Sequence, residues 1–338
     1  MIGVGGLGYL QAQTYAELSD VEVGAAADIS PDARALFTDE FDAPAYEHYR
    51  ELLEAHAEEL DAVTIVTPHT LHYEQAMAAL EAGLHVLVEK PMVTDVGHAV
   101  DLIETADDRD LVLQVGYQRH FHPAFREIRR VVDGGRIGTL HMVNCYLGQG
   151  WYEPHRDTWR TDPSLSGGGQ LYDSGSHLLD ALLWTTCTDP DTVAATIEYA
   201  EPEIDTNSAL SMRLAGGDST VAASVGITGL GNEIDLTEGY VFWGDGGRLS
   251  YLDGRISVAE RGAVTYRTEI TSGTDFSTLN REKLGNFLDA VRGDAAPATP
   301  GEVGLQVTAL TEAAYRAAET GSRVSVQELV ADARAGRT

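Results

Sequence analysis

Ala62-Val63-Thr64-Ile65-Val66-Thr67-Pro68 is followed by an apolar-periodic stretch over 71–82, by Gly83, and then by His85-Val86-Leu87-Val88. That order decides the fold. The first run is rich in β-branched residues, and the proline stops it because its ring removes a ladder donor. The stretch 71–82 reads as an amphipathic helix, with Gly83 where the chain can turn left-handed. The second run is apolar throughout, as a strand covered on both faces is. Strand, helix and strand in this order predict a crossover unit and hence a parallel sheet.

The same alternation extends outward. Upstream, Val21 to Asp28 is a β-rich run ending in an acid, and 31–40 and 47–59 read as helices. Downstream come a helix over 95–107 and the strand Leu111-Val112-Leu113-Gln114-Val115. Residues 1–120 are therefore expected to form an α/β domain with a doubly wound parallel sheet. Beyond it lie a helix over 123–133 and then β-rich runs at 140–146, 192–199, 209–214, 219–225, 240–243 and 248–252. Helices return at 281–291 and 302–320. Runs of strands without intervening helices predict an antiparallel sheet in a second, α+β domain over 121–338.

Gly3-Val4-Gly5-Gly6-Leu7-Gly8 fits the dinucleotide pattern G-x-G-x-x-G. Such glycines allow a tight turn and let backbone amides approach a pyrophosphate at a helix N-terminus. Asp28 lies twenty residues beyond Gly8, at the end of the next strand, where a carboxylate takes the ribose hydroxyls. Ile29 and Ser30 follow it in place of Arg or Lys, so NAD is favoured over NADP. Only Met1 and Ile2 precede the first glycine. The first strand is thus expected to be very short, or the start of the protein to lie upstream.

The chain has two lysines, Lys90 and Lys283, and uses arginine for almost every other cation. Arginine does not release its proton in proteins, so a lysine kept in such a chain points to chemistry that arginine cannot do. Lys90 closes the run His85 to Val88 within Glu89-Lys90-Pro91. In open parallel sheets the carboxyl ends of the strands face the ligand.

A second cluster runs from Gly167-Gly168-Gly169 through Asp173 and His177 to Asp180. On a helix these last three share one face, and a carboxylate one turn from a histidine makes a tuned acid/base pair. A plain capped helix with an internal Asp–His pair fits the same spacing. A metal site is not expected, because no further Cys or His stands at ligand spacing. His69 and His72 suit helix capping and cofactor contact better than metal binding.

Acidic residues outnumber basic ones, 53 to 23, for a formal net charge of −30. Such self-repulsion opposes the compact state at low salt. In molar salt the Debye length shrinks to about 3 Å and the repulsion is screened. Few lysines, few aromatics and this charge suggest the cytoplasm of a halophile, with a melting temperature that rises with KCl. Without a basic patch, a nucleic acid or an anionic membrane is excluded as partner. No stretch approaches a membrane span or a signal peptide. Cys145 and Cys187 read as free thiols in a reducing compartment.

These residues together resemble the glucose-fructose oxidoreductase / inositol dehydrogenase / rhizopine catabolism family over almost the whole chain. The resemblance rests on the glycine pattern with Asp28, on Thr67-Pro68-His69-Thr70-Leu71-His72, and on Ala82-Gly83-Leu84-His85-Val86-Leu87-Val88-Glu89-Lys90-Pro91. It continues through Arg119, Trp159-Arg160, and Gly168-Gly169 to His177. It implies a Rossmann domain joined to a large, open, mostly antiparallel sheet that pairs copies into homodimers or homotetramers. It implies Lys90, Asp173 and His177 as the catalytic trio. Gly3, Gly5, Gly6, Leu7, Gly8, Asp28, Ile29, Thr67, Pro68, His72, Glu89 and Lys90 would face the cofactor. Three departures from the family are His69, where Asn is usual, Gln11, where many members carry His, and the missing start of the first strand.

The activity so implied is NAD(P)-dependent oxidation of a sugar or cyclic polyol, with His177 as base, Asp173 orienting it and Lys90 bonding the same oxygen. Arg119, Tyr152, Trp159 and Arg160, with Tyr117, His155 and Arg156, are either sugar-binding or interface-packing groups. Two other activities stay open: a regulator that binds NAD without turnover, and a redox-neutral glycosidase that uses bound NAD.

Overall fold

A computed structural model describes every residue except 19, 218, 231–235, 253, 263, 264, 337 and 338. The chain divides into two compact units. The first comprises Met1–Val93, His98–Tyr117 and Phe276–Leu305; the second comprises Thr94–Gly97, Gln118–Asp275 and Gln306–Thr338.

In the first unit the strands Ala62–Ile65, His85–Val88 and Leu113–Val115 pair in parallel. The strands Ala26–Ala27 and Ala45–Tyr46 form a second parallel pair. Ile2 joins the two pieces, bridging in parallel to both Ile65 and Ala27. The first strand is thus a single pairing residue, held by Ile2 N–H to the Thr64 carbonyl at 2.8 Å and Val66 N–H to the Ile2 carbonyl at 2.8 Å. The spatial order that results is the Rossmann one, with the first strand between the second and the fourth.

Helices form close to where the periodicity places them. Pro31–Phe41 starts on Ser30, whose hydroxyl caps the Ala33 amide, with proline in its first turn. His72–Glu81 and Val96–Asp108 complete the crossovers. The long helix Phe276–Val291 belongs to this unit as well, although chain order alone puts it in the second domain. Packing is the reason. Its Leu284 and Phe287 are buried in one apolar cluster with Val4, Ala12, Tyr15, Phe37 and Leu87.

Among the described residues the second unit holds a nine-stranded sheet. Its order is Tyr266–Glu269, Arg255–Glu260, Gly247–Leu252, Thr237–Gly244, Leu140–Gly148, Ser219–Thr228, Ile204–Gly216, Asp189–Glu201 and Val324–Ser325. Every pairing is antiparallel except that of Leu140–Gly148 with Ser219–Thr228. Burial alternates along Ile204–Gly216 and Ser219–Thr228, as it does when one face meets a core and the other does not. The covered face carries Leu210, Met212, Leu214, Val221, Val225 and Ile227. The amphipathic helix Pro123–Asp133 and the apolar helix Ser176–Thr186 pack in the same unit. Among the described residues, no helix is long and apolar enough to cross a membrane.

Candidate active site

In the first unit the glycines divide the work of the turn. Gly3 adopts a φ of +83°, and a Cβ there would strike the Val66 carbonyl. A Cβ on Gly8 would strike the carbonyl of Gly3, so the helix Gly6–Ala16 can lie against the strand only with glycine at that position. Gly6, with a φ of +34°, faces open space. Leu7 follows it in the first helical turn, which has no acidic side chain and no side-chain cap. This arrangement suits a phosphate group, which would complete an otherwise uncapped helix start.

Asp28 closes the other side of this turn. Its Oδ2 accepts the Val4 amide at 2.8 Å and the Gly5 amide at 3.1 Å, and its Oδ1 accepts the Ser30 amide at 2.8 Å. The carboxylate is thereby fixed beside the glycines. Ile29 is 81 % exposed. Arg34 donates to the Asp28 carbonyl at 2.7 Å and lies 3.8 Å from Glu47. These features fit the dinucleotide that the glycine pattern implies.

Thr67, Pro68 and His72 stand at the end of strand Ala62–Ile65. The Thr67 hydroxyl donates to Gln75 at 2.6 Å. His72 is buried, with its ring nitrogens 2.8 Å from the Pro91 carbonyl and 2.9 Å from the Thr67 carbonyl. Burial lowers its pKa below the ordinary 6.5, against the pull of those carbonyls. The ring ties one strand end to the next, across the segment that carries Lys90. Glu89 is buried beneath it, and the Lys90 amide donates to Glu89 Oε2 at 3.3 Å. The Lys90–Pro91 peptide is cis.

In the second unit, Leu171–Gly175 is a π-helix and Ser176–Thr186 continues it as an α-helix. Asp173 therefore sits on a widened turn rather than on the regular α-helix that its spacing suggests. Its carboxylate is buried and its Oδ2 accepts the Trp151 indole N–H at 2.8 Å and Arg160 Nε at 3.2 Å. Arg160 lies over the Trp159 ring at 4.4 Å. Asp173, Trp151, Arg160 and Trp159 thus form one cluster, and His177 follows on the next helical segment, half-buried.

Asp180 does different work. It is buried, 2.8 Å from His120 Nε2, and that imidazole stacks on Trp184 at 4.2 Å. Arg119 is also buried; it pairs with Glu238 and lies 3.5 Å from the Tyr240 hydroxyl. Burial works against the Arg119 charge more than any single neighbour supports it, but Glu238, Tyr240, Asp180 and Tyr251 together more than offset burial and hold the guanidinium pKa above its ordinary value. The Tyr152 hydroxyl donates to Glu201.

The widened turn has an anchor that sequence reasoning missed. Asp205, fully buried, accepts the Gly169 amide at 2.8 Å on Oδ1 and the Leu171 amide at 2.8 Å on Oδ2, and Tyr315 donates its hydroxyl as well. A Cβ on Gly169 would collide with the Asp205 backbone, which explains the glycine. Trp151 was missed too. Neither Trp151 nor Asp205 belongs to a local motif, and Asp205 lies outside the β-rich run 209–214 read from the sequence, so no signal along the chain marked either.

Residues 1–117 match the model of an oxidoreductase family with an NAD-binding Rossmann fold, and residues 125–250 match the GFO/IDH/MocA C-terminal domain. The chain belongs to the GFO/IDH/MocA family. As a member it is an oxidoreductase that uses a nicotinamide dinucleotide. It is 28 % identical over 274 residues to a D-xylose 1-dehydrogenase [NADP(+)] of Haloarcula marismortui, covering 78 % of this chain and 74 % of that one. It is 27 % identical over 280 residues to a 1,5-anhydro-D-fructose reductase of Ensifer adhaerens, covering 80 % of each. The fold of this GFO/IDH/MocA protein matches levoglucosan dehydrogenase in complex with NADH and L-sorbose, with a TM-score of 0.86, 20 % identity, and coverage of 96 % and 97 %.

Proposed function

We propose that the protein oxidises a secondary or anomeric hydroxyl of a sugar or cyclic polyol, with NAD as acceptor. The observation that carries this reading is Lys90 at the carboxyl end of a parallel strand, in a unit whose glycine turn is built for a dinucleotide. When bound, the nicotinamide supplies the hydride acceptor. His177 takes the hydroxyl proton, Asp173 stabilises the resulting imidazolium, and Lys90 donates to the substrate oxygen. Trp151 and Arg160 keep the Asp173 carboxylate in place. Trp159 offers an aromatic face of the kind that sugar rings stack on.

NAD is the proposed cofactor over NADP. The Asp28 carboxylate is held against the glycine turn by three amides, and it opposes a further phosphate on the ribose. Arg34 is engaged by the Asp28 carbonyl and Glu47. A homodimer or homotetramer is proposed through the sheet, whose strand Leu140–Gly148 exposes Met142 and Tyr146.

The test is reduced-cofactor formation by the purified protein in molar KCl, with NAD or NADP and a panel of aldoses, inositols and anhydrosugars. The expected result is turnover with one class, faster with NAD. NAD binding without turnover on any of them would replace this reading by the regulator. Turnover with release of an aglycone and no net NADH would replace it by the redox-neutral glycosidase.

A further inference from the structure

The two lysines of this chain meet at one carboxylate. Lys90 follows Glu89 in sequence, and Lys283, on helix Phe276–Val291, pairs with Glu89 Oε1. Both members of that pair are buried, Lys283 at 2 % and Glu89 at 6 % exposure. Gln11 donates to the same oxygen at 2.7 Å, and the other oxygen accepts the Lys90 amide at 3.3 Å. The carboxylate also lies where a Cβ on residue 116 would stand 2.5 Å from Oε2, so Gly116 leaves it room. Gln114 donates to the Lys283 carbonyl at 3.4 Å, steadying the backbone that carries the cation.

We infer that Lys283 is a positioning residue for the reaction: by holding the Glu89 carboxylate, it fixes the backbone of Lys90. A buried carboxylate with its partner removed is costly and rearranges or takes up a proton, whereas a fully paired one is rigid. Lysine suits the position because its charge is compact and its stem slender, while the wide guanidinium fork of arginine needs more space. This explains why a chain with two lysines buries one of them. Gln11, standing where many family members carry His, supplies a second donor that does not titrate.

The inference rests on the dehydrogenase reading for its kinetic consequence, but the structural consequence can be measured apart from turnover. Lys283→Met and the double variant Glu89→Gln/Lys283→Met are compared with wild type for kcat, KM, the Kd for NAD, melting temperature, and deuterium exchange of the peptide spanning residues 87–93. Lys283→Met is expected to speed exchange in that peptide. It should also lower kcat about tenfold or more with the Kd for NAD changed less than about threefold, since a misplacement of 1 Å costs about 10²-fold. The double variant, with no unpaired buried charge, is expected to recover the melting temperature but not kcat. Recovery of both would make the pair merely structural and overturn the inference. Unchanged exchange in Lys283→Met, or a loss of activity explained wholly by weaker NAD binding, would overturn it too. A wild type silent on every sugar would sink the dehydrogenase reading and leave the exchange result to decide the positioning.

Discussion

Changing His177 to alanine is expected to lower kcat by about 10²–10⁴-fold, the range for loss of a general acid/base group. The Kd for NAD should be unchanged, because the dinucleotide turn and Asp28 belong to the other unit. The histidine is held on a helix whose start is fixed three ways: by Asp205 to the amides of Gly169 and Leu171, by Trp151 to Asp173, and by Arg160 to Asp173. Truncating His177 removes none of these, so the loss should lie in kcat rather than in folding. Steady-state kinetics with the active sugar, alongside NAD titration, measures it. A loss smaller than about threefold would take proton transfer away from this residue.

Asp205→Ala is expected to have the largest effect on stability. It leaves two buried amides and the Tyr315 hydroxyl without their acceptor. Unsatisfied buried donors cost about 1–3 kcal/mol each, so a loss of about 3 kcal/mol or more is expected. Urea unfolding in molar KCl reads it as a lower midpoint at unchanged slope. A change below about 0.5 kcal/mol, the range of ordinary surface substitutions, would mean that the turn does not depend on this carboxylate.

The pH dependence separates the charge of Asp205 from its shape. Burial holds the Asp205 pKa above its ordinary 3.8, outweighing the hydroxyl and amides that donate to it. The native state therefore binds a proton that the unfolded state has released. The stabilisation is fully present below 3.8 and is lost as pH rises through the folded value. Asp205→Asn lacks this titration. The stability advantage of wild type over Asp205→Asn should therefore shrink as pH rises from about 4 toward neutrality. A growing advantage would show that the ionised form is the one the fold favours.

Much of this molecule is legible along the chain. The strand Ala62–Ile65, the helix His72–Glu81 and the strand His85–Val88 lie where β-branched runs, apolar spacing and Gly83 put them. The helix Pro123–Asp133 begins at its proline and ends at Gly134. Elsewhere local signals ran out. Arg255–Glu260 and Tyr266–Glu269 are strands with weak patterns, completed by pairing onto a neighbouring edge. Leu171–Gly175 carries no local signal for a π-turn; it is tied from outside, to Asp205 at Leu171 and to Trp151 and Arg160 at Asp173.

The amino-acid sequence by itself determined the glycine turn with Asp28 beside it and the strand that ends at Glu89-Lys90-Pro91. Each is a short-range arrangement, dictated by backbone freedom, strand ends and residue chemistry within a few positions. Tertiary structure alone decided what holds them. Lys283 reaches Glu89 across 194 positions, Asp205 reaches Gly169 across 36, and Asp180 turns to His120 across 60. The reason is physical: a buried polar group takes its partner from whatever element packs against it. Packing is set by the apolar faces of whole helices and sheets, and no local pattern of residues records it.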